Sequence, residues 1–220
     1  MADEQQETKF LESGKMRELF GLIVERATAR AKSSPIVTSR RNKLPLVGRA
    51  EAKSRLLPKI VRTADQIPAE LREVFSAAVN GETDWPLFLY GPVGTGKTCG
   101  ALCLADYAQG WYWRLEDLTT DLADTISSGD YSDRQELWRH ISTAPLAVLD
   151  EIASRDNVSD HHYQTLKRFW EDREPEQHTI YISNKHPDEI ADIYDDRIAS
   201  RILCGTWHEV RGKDRRRHDA

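Results

Sequence analysis

Short unbroken apolar runs alternate along this chain with longer segments whose apolar residues recur every three or four positions. That alternation predicts an α/β fold with a parallel sheet and right-handed crossovers. Leu87-Phe88-Leu89-Tyr90, entered through Pro86, is one such run, and Leu146-Ala147-Val148-Leu149 and Thr179-Ile180-Tyr181-Ile182 are two more. Runs this short, apolar at successive positions, suit strands buried on both faces. Residues 111–115 and 206–210 are expected to add two strands, giving a five-stranded sheet. Helices are expected over 49–62, 69–79, 99–108, 116–126, 134–141 and 163–171.

Upstream, residues 7–32 carry Phe10, Leu11, Leu19, Phe20, Ile23 and Val24 at helical spacing, an amphipathic helix or helix pair weakened by Gly14 and Gly21. Ser33-Ser34-Pro35 breaks the pattern, and the stretch to Pro45 reads as a linker. The expected organisation is a helical N-terminal segment and linker over 1–45 and one larger domain over 46–220. The apolar stripe of the N-terminal segment either packs on that domain or docks on another protein.

Composition narrows the class. No apolar run approaches the roughly twenty residues of a membrane span. The start, Met1-Ala2-Asp3-Glu4, is too acidic for a signal peptide. Cys99, Cys103 and Cys204 are odd in number and lack metal-ligand spacing, so buried reduced thiols in a cytosolic protein are expected. The net charge of −5 is unevenly spread. Between Lys32 and Arg62 lie Arg40, Arg41, Lys43, Arg49, Lys53, Arg55 and Lys59 against Glu51 alone, and Arg211, Lys213, Arg215, Arg216 and Arg217 crowd the C-terminus. Each cluster is either a solvated linker or tail, or a contact for nucleic-acid phosphates.

The chemistry concentrates after the first apolar run. Gly91-Pro92-Val93-Gly94-Thr95-Gly96-Lys97-Thr98 matches G-x-x-x-x-G-K-[ST] at every fixed position, between an expected strand and an expected helix. Glycines let successive N–H groups turn inward around phosphates at the positive end of a helix dipole. Lys97 can then reach the β- and γ-phosphates and the Thr98 hydroxyl can ligate Mg²⁺, so the chain is expected to bind a nucleoside triphosphate. Asp150 and Glu151 close the Leu146–Leu149 run, at the strand end where parallel sheets bind ligands. Asp150 is expected in the Mg²⁺ shell, and Glu151 is expected to orient and deprotonate an attacking water. Asn184 follows the next strand and can hold that water in line; the alternative is a turn asparagine. Arg197 and Arg201 share one face if their segment is helical, and either bridge to a neighbouring subunit's γ-phosphate or pair with Asp195 or Asp196. Trp111 and Trp113 fall on one face of a strand, which favours core packing over base stacking. His161-His162 has no metal-site companions and is expected to be solvated.

The order Gly91–Thr98, Leu146–Glu151, Thr179–Asn184 and Asp196-Arg197-x-x-Ser200-Arg201-Ile202 resembles the AAA+ ATPases. Within them it is most similar to the branch holding DnaC-type helicase loaders, DnaA-like initiators and IstB-type transposition ATPases. The resemblance covers residues 46–217, and Tyr163-Gln164-Thr165-Leu166-Lys167 with Gly212-Lys213-Asp214-Arg215-Arg216 draws it toward the loader and IstB group. It implies ATP hydrolysis with Mg²⁺, slow without a partner. Gly91, Gly96, Lys97 and Thr98 would be the Walker A loop, Asp150 and Glu151 Walker B, and Asn184 sensor 1. Arg201, with Arg197 second, would be the arginine finger, and Arg216 would lie near sensor 2. Leu46-Val47-Gly48 more weakly resembles the stretch near the adenine. The chain's end at Ala220 leaves no room for a full C-terminal lid, which suits that branch. A homo-oligomer loading a replicative helicase on single-stranded DNA is the implied role. The alternatives are an IstB-like ATPase that recruits a transposase on duplex DNA and a nucleotide-dependent adaptor that does not hydrolyse.

Overall fold

A computed structural model describes residues 43–47, 51–54, 67–129, 131–154, 158–173 and 177–215. The expected N-terminal helix, the linker up to residue 42 and Arg216 lie outside them, while Leu44, in the last part of the expected linker, is buried in the core. So does most of the expected helix over 49–62; of its described residues, Lys53 instead bridges to Trp111 as a single parallel strand contact.

Helix α1 (Ala69–Asn80) leads to strand β1 (Leu87–Tyr90), helix α2 (Lys97–Ala108) and strand β2 (Trp111–Arg114). Helices α3 (Leu115–Ser128) and α4 (Tyr131–Thr143) follow, then β3 (Leu146–Asp150), α5 (Asp160–Glu171) and β4 (His178–Ile182). Helices α6 (Pro187–Ile193) and α7 (Asp196–Ile202) precede β5 (Thr206–Glu209). The strands form one sheet in the order β2-β3-β4-β1-β5, and every pair is parallel. Each expected strand forms within a residue or so of its expected bounds. Helix α6 was not expected. Its start is legible in retrospect: Pro187 fixes the first turn, the His186 ring accepts the Asp188 N–H, and the Glu189 carboxylate accepts the His186 N–H.

Alternation along the strands divides the interior into two layers. Leu87, Leu89, Tyr112, Leu146, Val148, Ile180 and Ile182 face α1 and α2, while Phe88, Trp113, Leu149 and Tyr181 face the helices α3 to α7. Helix α2 is buried on nearly all sides, and at Gly100 the side chains of Leu71 and Phe75 from α1 lie 3.1 Å from where a Cβ would stand. Trp111 and Trp113 stack 5.5 Å apart, and Trp111 also stacks on His140, so this pair packs in the fold as expected. Cys99 and Cys103 are buried on α2, but Cys204 is exposed, with its thiol donating to the Arg201 carbonyl, against the expectation of three buried thiols. Among the described residues no helix is long and apolar enough to cross a membrane.

At the edge of the sheet remote from the strands' C-terminal ends, Arg173 is buried. Its guanidinium donates to the carbonyls of Ile141, Ala144 and His178 and to the Thr179 hydroxyl. Burial lowers its pKa to about 10, which keeps it charged at neutral pH. One cation thereby ties the end of α4 and the end of α5 to the start of β4. Arg173→Met removes those donors and strands several buried carbonyls, each worth about 1–3 kcal/mol. The expected loss of stability is about 2–4 kcal/mol, read from the shift in the urea unfolding midpoint at unchanged slope.

Candidate functional site

The C-terminal ends of β1, β3 and β4 meet at one edge of the sheet, because β4 lies between the other two. Ser183 fastens them together. Its N–H donates to the Leu89 carbonyl (3.0 Å), its hydroxyl donates to the Ile152 carbonyl (2.9 Å), and it accepts the Lys185 N–H (3.0 Å). The phosphate loop, Asp150, Glu151 and Asn184 are gathered at this edge.

The loop over 91–98 runs from β1 into α2 as expected. Gly91, Gly94 and Gly96 have φ of 128°, 78° and 101°, values that a side chain resists. The Thr95 hydroxyl donates to the Pro92 carbonyl, bracing the turn (3.0 Å). Pro92 and Val93 are exposed at its crest. Lys97 is buried and folded across the loop, its ammonium donating to the carbonyls of Gly91 (2.6 Å) and Pro92 (2.7 Å). The cation is thus held where phosphates would enter the loop.

The irregular segment after β5 covers this loop. Val210 N–H donates to the Tyr90 carbonyl (2.7 Å), and the Val210 carbonyl lies 2.5 Å from where a Gly91 Cβ would be. Further on, Arg215 N–H donates to the Gly94 carbonyl (3.0 Å), and Asp214 fills the space of a Gly94 Cβ. Described residues of the basic C-terminal cluster therefore reach the loop. Arg211, by contrast, pairs with Glu209 (2.7 Å).

Asp150 ends β3 with 3% of its surface exposed. Its Oδ2 accepts the Thr98 hydroxyl at 2.7 Å and the Tyr112 hydroxyl at 3.0 Å, and its Oδ1 accepts the Glu151 N–H at 2.7 Å. Burial pushes the carboxyl pKa up, and the donors from Thr98, Glu151 and Tyr112, with the Lys97 charge, pull it back. The same burial beside Asp150 drives the Tyr112 hydroxyl far above its usual range, so it stays a donor. Oxygen ligands from a hydroxyl and a carboxylate under a phosphate loop suit Mg²⁺, which takes one or two protein carboxylates and completes its shell with water and phosphate. The residues fit that ion.

Glu151 stands just past the strand with φ of 58°, a left-handed conformation uncommon for a residue with a side chain. Its N–H bond to Asp150 and the Ile152 N–H bond to the Ile182 carbonyl (3.1 Å) hold it there. The side chain is exposed and borders a hollow lined by Leu115, Ala153, Val158 and Tyr194, open to water. Partial burial raises its pKa, the Asp150 charge adds to this, and the Arg114 guanidinium opposes it. Arg114 is otherwise engaged by Asp117 in a two-point pair at 2.6 and 2.9 Å. Tyr112, Arg114 and Ser183 were not singled out in the sequence; only the pairing of β2 beside β3 would have pointed to the first two.

Asn184 is exposed directly after Ser183, at the same edge as Glu151. Arg197 and Arg201 do fall on a helix, α7, whose start is capped by the Asp195 carboxylate accepting the Ile198 N–H (2.7 Å). Asp195 also accepts the Tyr163 hydroxyl, and Arg197, which is exposed, contributes favourably to its charge. Arg201 lies flat on the Trp170 ring, its guanidinium carbon 3.5 Å from the centroid. Two weaker expectations concern Val47 and the histidine pair. Val47 N–H donates to the Tyr107 carbonyl (3.0 Å), at the end of α2 remote from the loop, about 15 Å of helix away. His161 is exposed, as expected, and also bonds the Thr119 carbonyl; His162 is half-buried and bonds the Ser159 hydroxyl.

No known family's sequence profile matches the chain. Among individual proteins, it is 25% identical over 153 residues to the chromosomal replication initiator DnaA of Tropheryma whipplei, covering 66% of this chain and 31% of that one. It is 35% identical over 114 residues to replication factor C small subunit 2 of Pyrobaculum arsenaticum, covering 49% and 33%. The chain therefore spans about a third of the length of each. Among solved structures, a replication initiator DnaA bound to AMPPCP and single-stranded DNA superposes with a TM-score of 0.56 at 20% identity, over 81% of this chain and 52% of that one. These likenesses do not single out the loader or IstB branch.

Gly94 offers a direct test of the covered loop. Gly129 has a similar φ of 71° with nothing within 4 Å of a Cβ, so Gly129→Ala is expected to cost only the left-handed strain, about 1–2 kcal/mol. Gly94→Ala adds the collision with Asp214 and is expected to lower the unfolding free energy by more than Gly129→Ala does, in parallel thermal and urea melts. The five parallel strands, the loop between β1 and α2, and the carboxylate at the end of β3 together make this the fold of an AAA+ P-loop nucleoside triphosphatase.

Proposed function

We propose that this protein binds and hydrolyses ATP in DNA replication, and that it does so as a DnaC-like loader of a replicative helicase. The observation that carries the ATPase reading is the bond between Thr98 and Asp150 beneath a loop whose lysine already lies over its carbonyls. In this reading the N–H groups of the 91–98 loop bind the phosphate oxygens, and Lys97 exchanges the Gly91 and Pro92 carbonyls for the β- and γ-phosphates. Thr98 and Asp150 hold Mg²⁺, which supplies charge neutralisation on those phosphates. Glu151 takes a proton from water as the water oxygen bonds to the γ-phosphorus; the bond to the bridging oxygen breaks and ADP leaves with that oxygen. Asn184 keeps the water in line. Arg201 reaches the γ-phosphate of a neighbouring subunit's ATP, with Arg197 the second choice, so that hydrolysis depends on assembly and is slow in an isolated protomer.

Replication is supported by the kinds of protein this chain resembles, which are named for initiation and for replication factor C. The loader role is supported by the motif order through Asp196-Arg197-x-x-Ser200-Arg201-Ile202 and by the N-terminal segment that precedes the ATPase domain. In this reading residues 1–45 grip the helicase, residues 46–220 form the ATPase, single-stranded DNA follows the basic clusters, and the protein works in the cytoplasm.

Lys97→Ala is expected to abolish ATP binding, while Glu151→Gln keeps binding and lowers the turnover by about 10²- to 10⁴-fold. Equilibrium binding of a fluorescent ATP analogue and steady-state phosphate release measure the two effects, and nucleotide affinity unchanged in Lys97→Ala would overturn the assignment. Purification from its native host is expected to recover a replicative helicase with the full chain and not with a chain lacking residues 1–45. Recovery of a transposase in its place would reassign the partner to transposition.

A further inference from the structure

We infer that Tyr112 is a positioning residue for the magnesium ligand Asp150, an inference that rests on the ATPase reading above. Arg114 is the residue of β2 in register with Asp150, but it turns to Asp117, so it leaves the carboxylate to be served from elsewhere on that strand. Tyr112 lies two residues earlier on the same face, about 6.6 Å back along the strand. Its ring spans that gap, and its hydroxyl meets Asp150 Oδ2 at 3.0 Å.

The two donors on Oδ2 differ in kind. Thr98 sits on the first turn of α2 at the mouth of the phosphate loop, where its hydroxyl oxygen must also serve a bound cation. Tyr112 is 1% exposed, and its ring is clamped in the layer that includes Leu102, Leu146 and Val148. Its hydroxyl position is therefore set by core packing and stays the same whether or not nucleotide is present. With Oδ1 fixed by the Glu151 N–H, the phenol fixes the other oxygen, so the carboxylate cannot rotate about its last bond. A ligand held in one orientation binds a small octahedral cation better than a rotating one, and outer-shell partners of this sort typically contribute about 10- to 100-fold in metal affinity. An apolar Phe would fill the same space, so packing alone does not call for the hydroxyl.

The test is the magnesium dependence of nucleotide binding in the full-length protein, followed with a fluorescent ATP analogue, for wild type and Tyr112→Phe. The expected result is an unchanged affinity in excess EDTA and a Mg²⁺ midpoint raised about tenfold in the variant, with the thermal melting curve largely retained. Tyr112→Leu, which also empties ring volume, is expected to lower the melting temperature yet shift the Mg²⁺ midpoint no further than Tyr112→Phe. An equal midpoint in wild type and Tyr112→Phe overturns the inference, as does a loss of affinity in EDTA equal to that in Mg²⁺. Failure of the wild type itself to bind nucleotide, or to respond to Mg²⁺, overturns the ATPase reading and this inference with it.

Discussion

A carboxyl group with 3% of its surface exposed has lost its water, and its oxygens need other partners in the protein interior. Asp150 meets that condition with two hydroxyls and one backbone N–H, each from a different element: Thr98 from α2, Tyr112 from β2 and Glu151 from the turn beyond β3. The rest of the molecule can be read as what is needed to bring these donors together. Strand β2 must lie beside β3 for the phenol to reach, and α2 must run back over the sheet for the threonine to do so. The order β2-β3-β4-β1-β5 supplies both.

The phosphate loop is under a second constraint, from outside the sheet. Its glycines are required by the backbone turn and also by what lies over them, since the Val210 carbonyl and Asp214 occupy the room that side chains at 91 and 94 would take. The chain after β5 thereby shares hydrogen bonds with the end of β1 and with the loop's crest. The loop and this segment are joined at the Gly94 peptide, whose carbonyl accepts the Arg215 N–H.

The likeness to replication initiators and replication factor C small subunits comes with partial overlap in length. What gives it chemical content is the site. A lysine folded on its own loop, a hydroxyl on a buried carboxylate and a strained glutamate beside them form a set that a merely structural domain has no reason to assemble. Arg201 of α7 is held within the protomer, its guanidinium stacked on the Trp170 ring of α5.

By itself the sequence determined the strands, the phosphate loop and the acidic pair after β3, because those are local: a buried parallel strand must be apolar throughout, and a phosphate cradle must have its glycines and lysine at fixed spacing. The same locality led astray where context decides. Cys204 looked like its two buried fellows, and Lys53 lay in an apparently helical stretch yet pairs with Trp111 as strand. Helix α6 was passed over because its capping pattern uses a histidine where serine or threonine is usual. The tertiary structure alone decided that Tyr112 serves Asp150, that Arg114 turns to Asp117, that Ser183 joins three strand ends and that the chain beyond β5 roofs the loop. Each of these depends on which strands are neighbours and in what register, and in a parallel sheet those neighbours are joined through long crossovers that leave no short-range mark in the sequence.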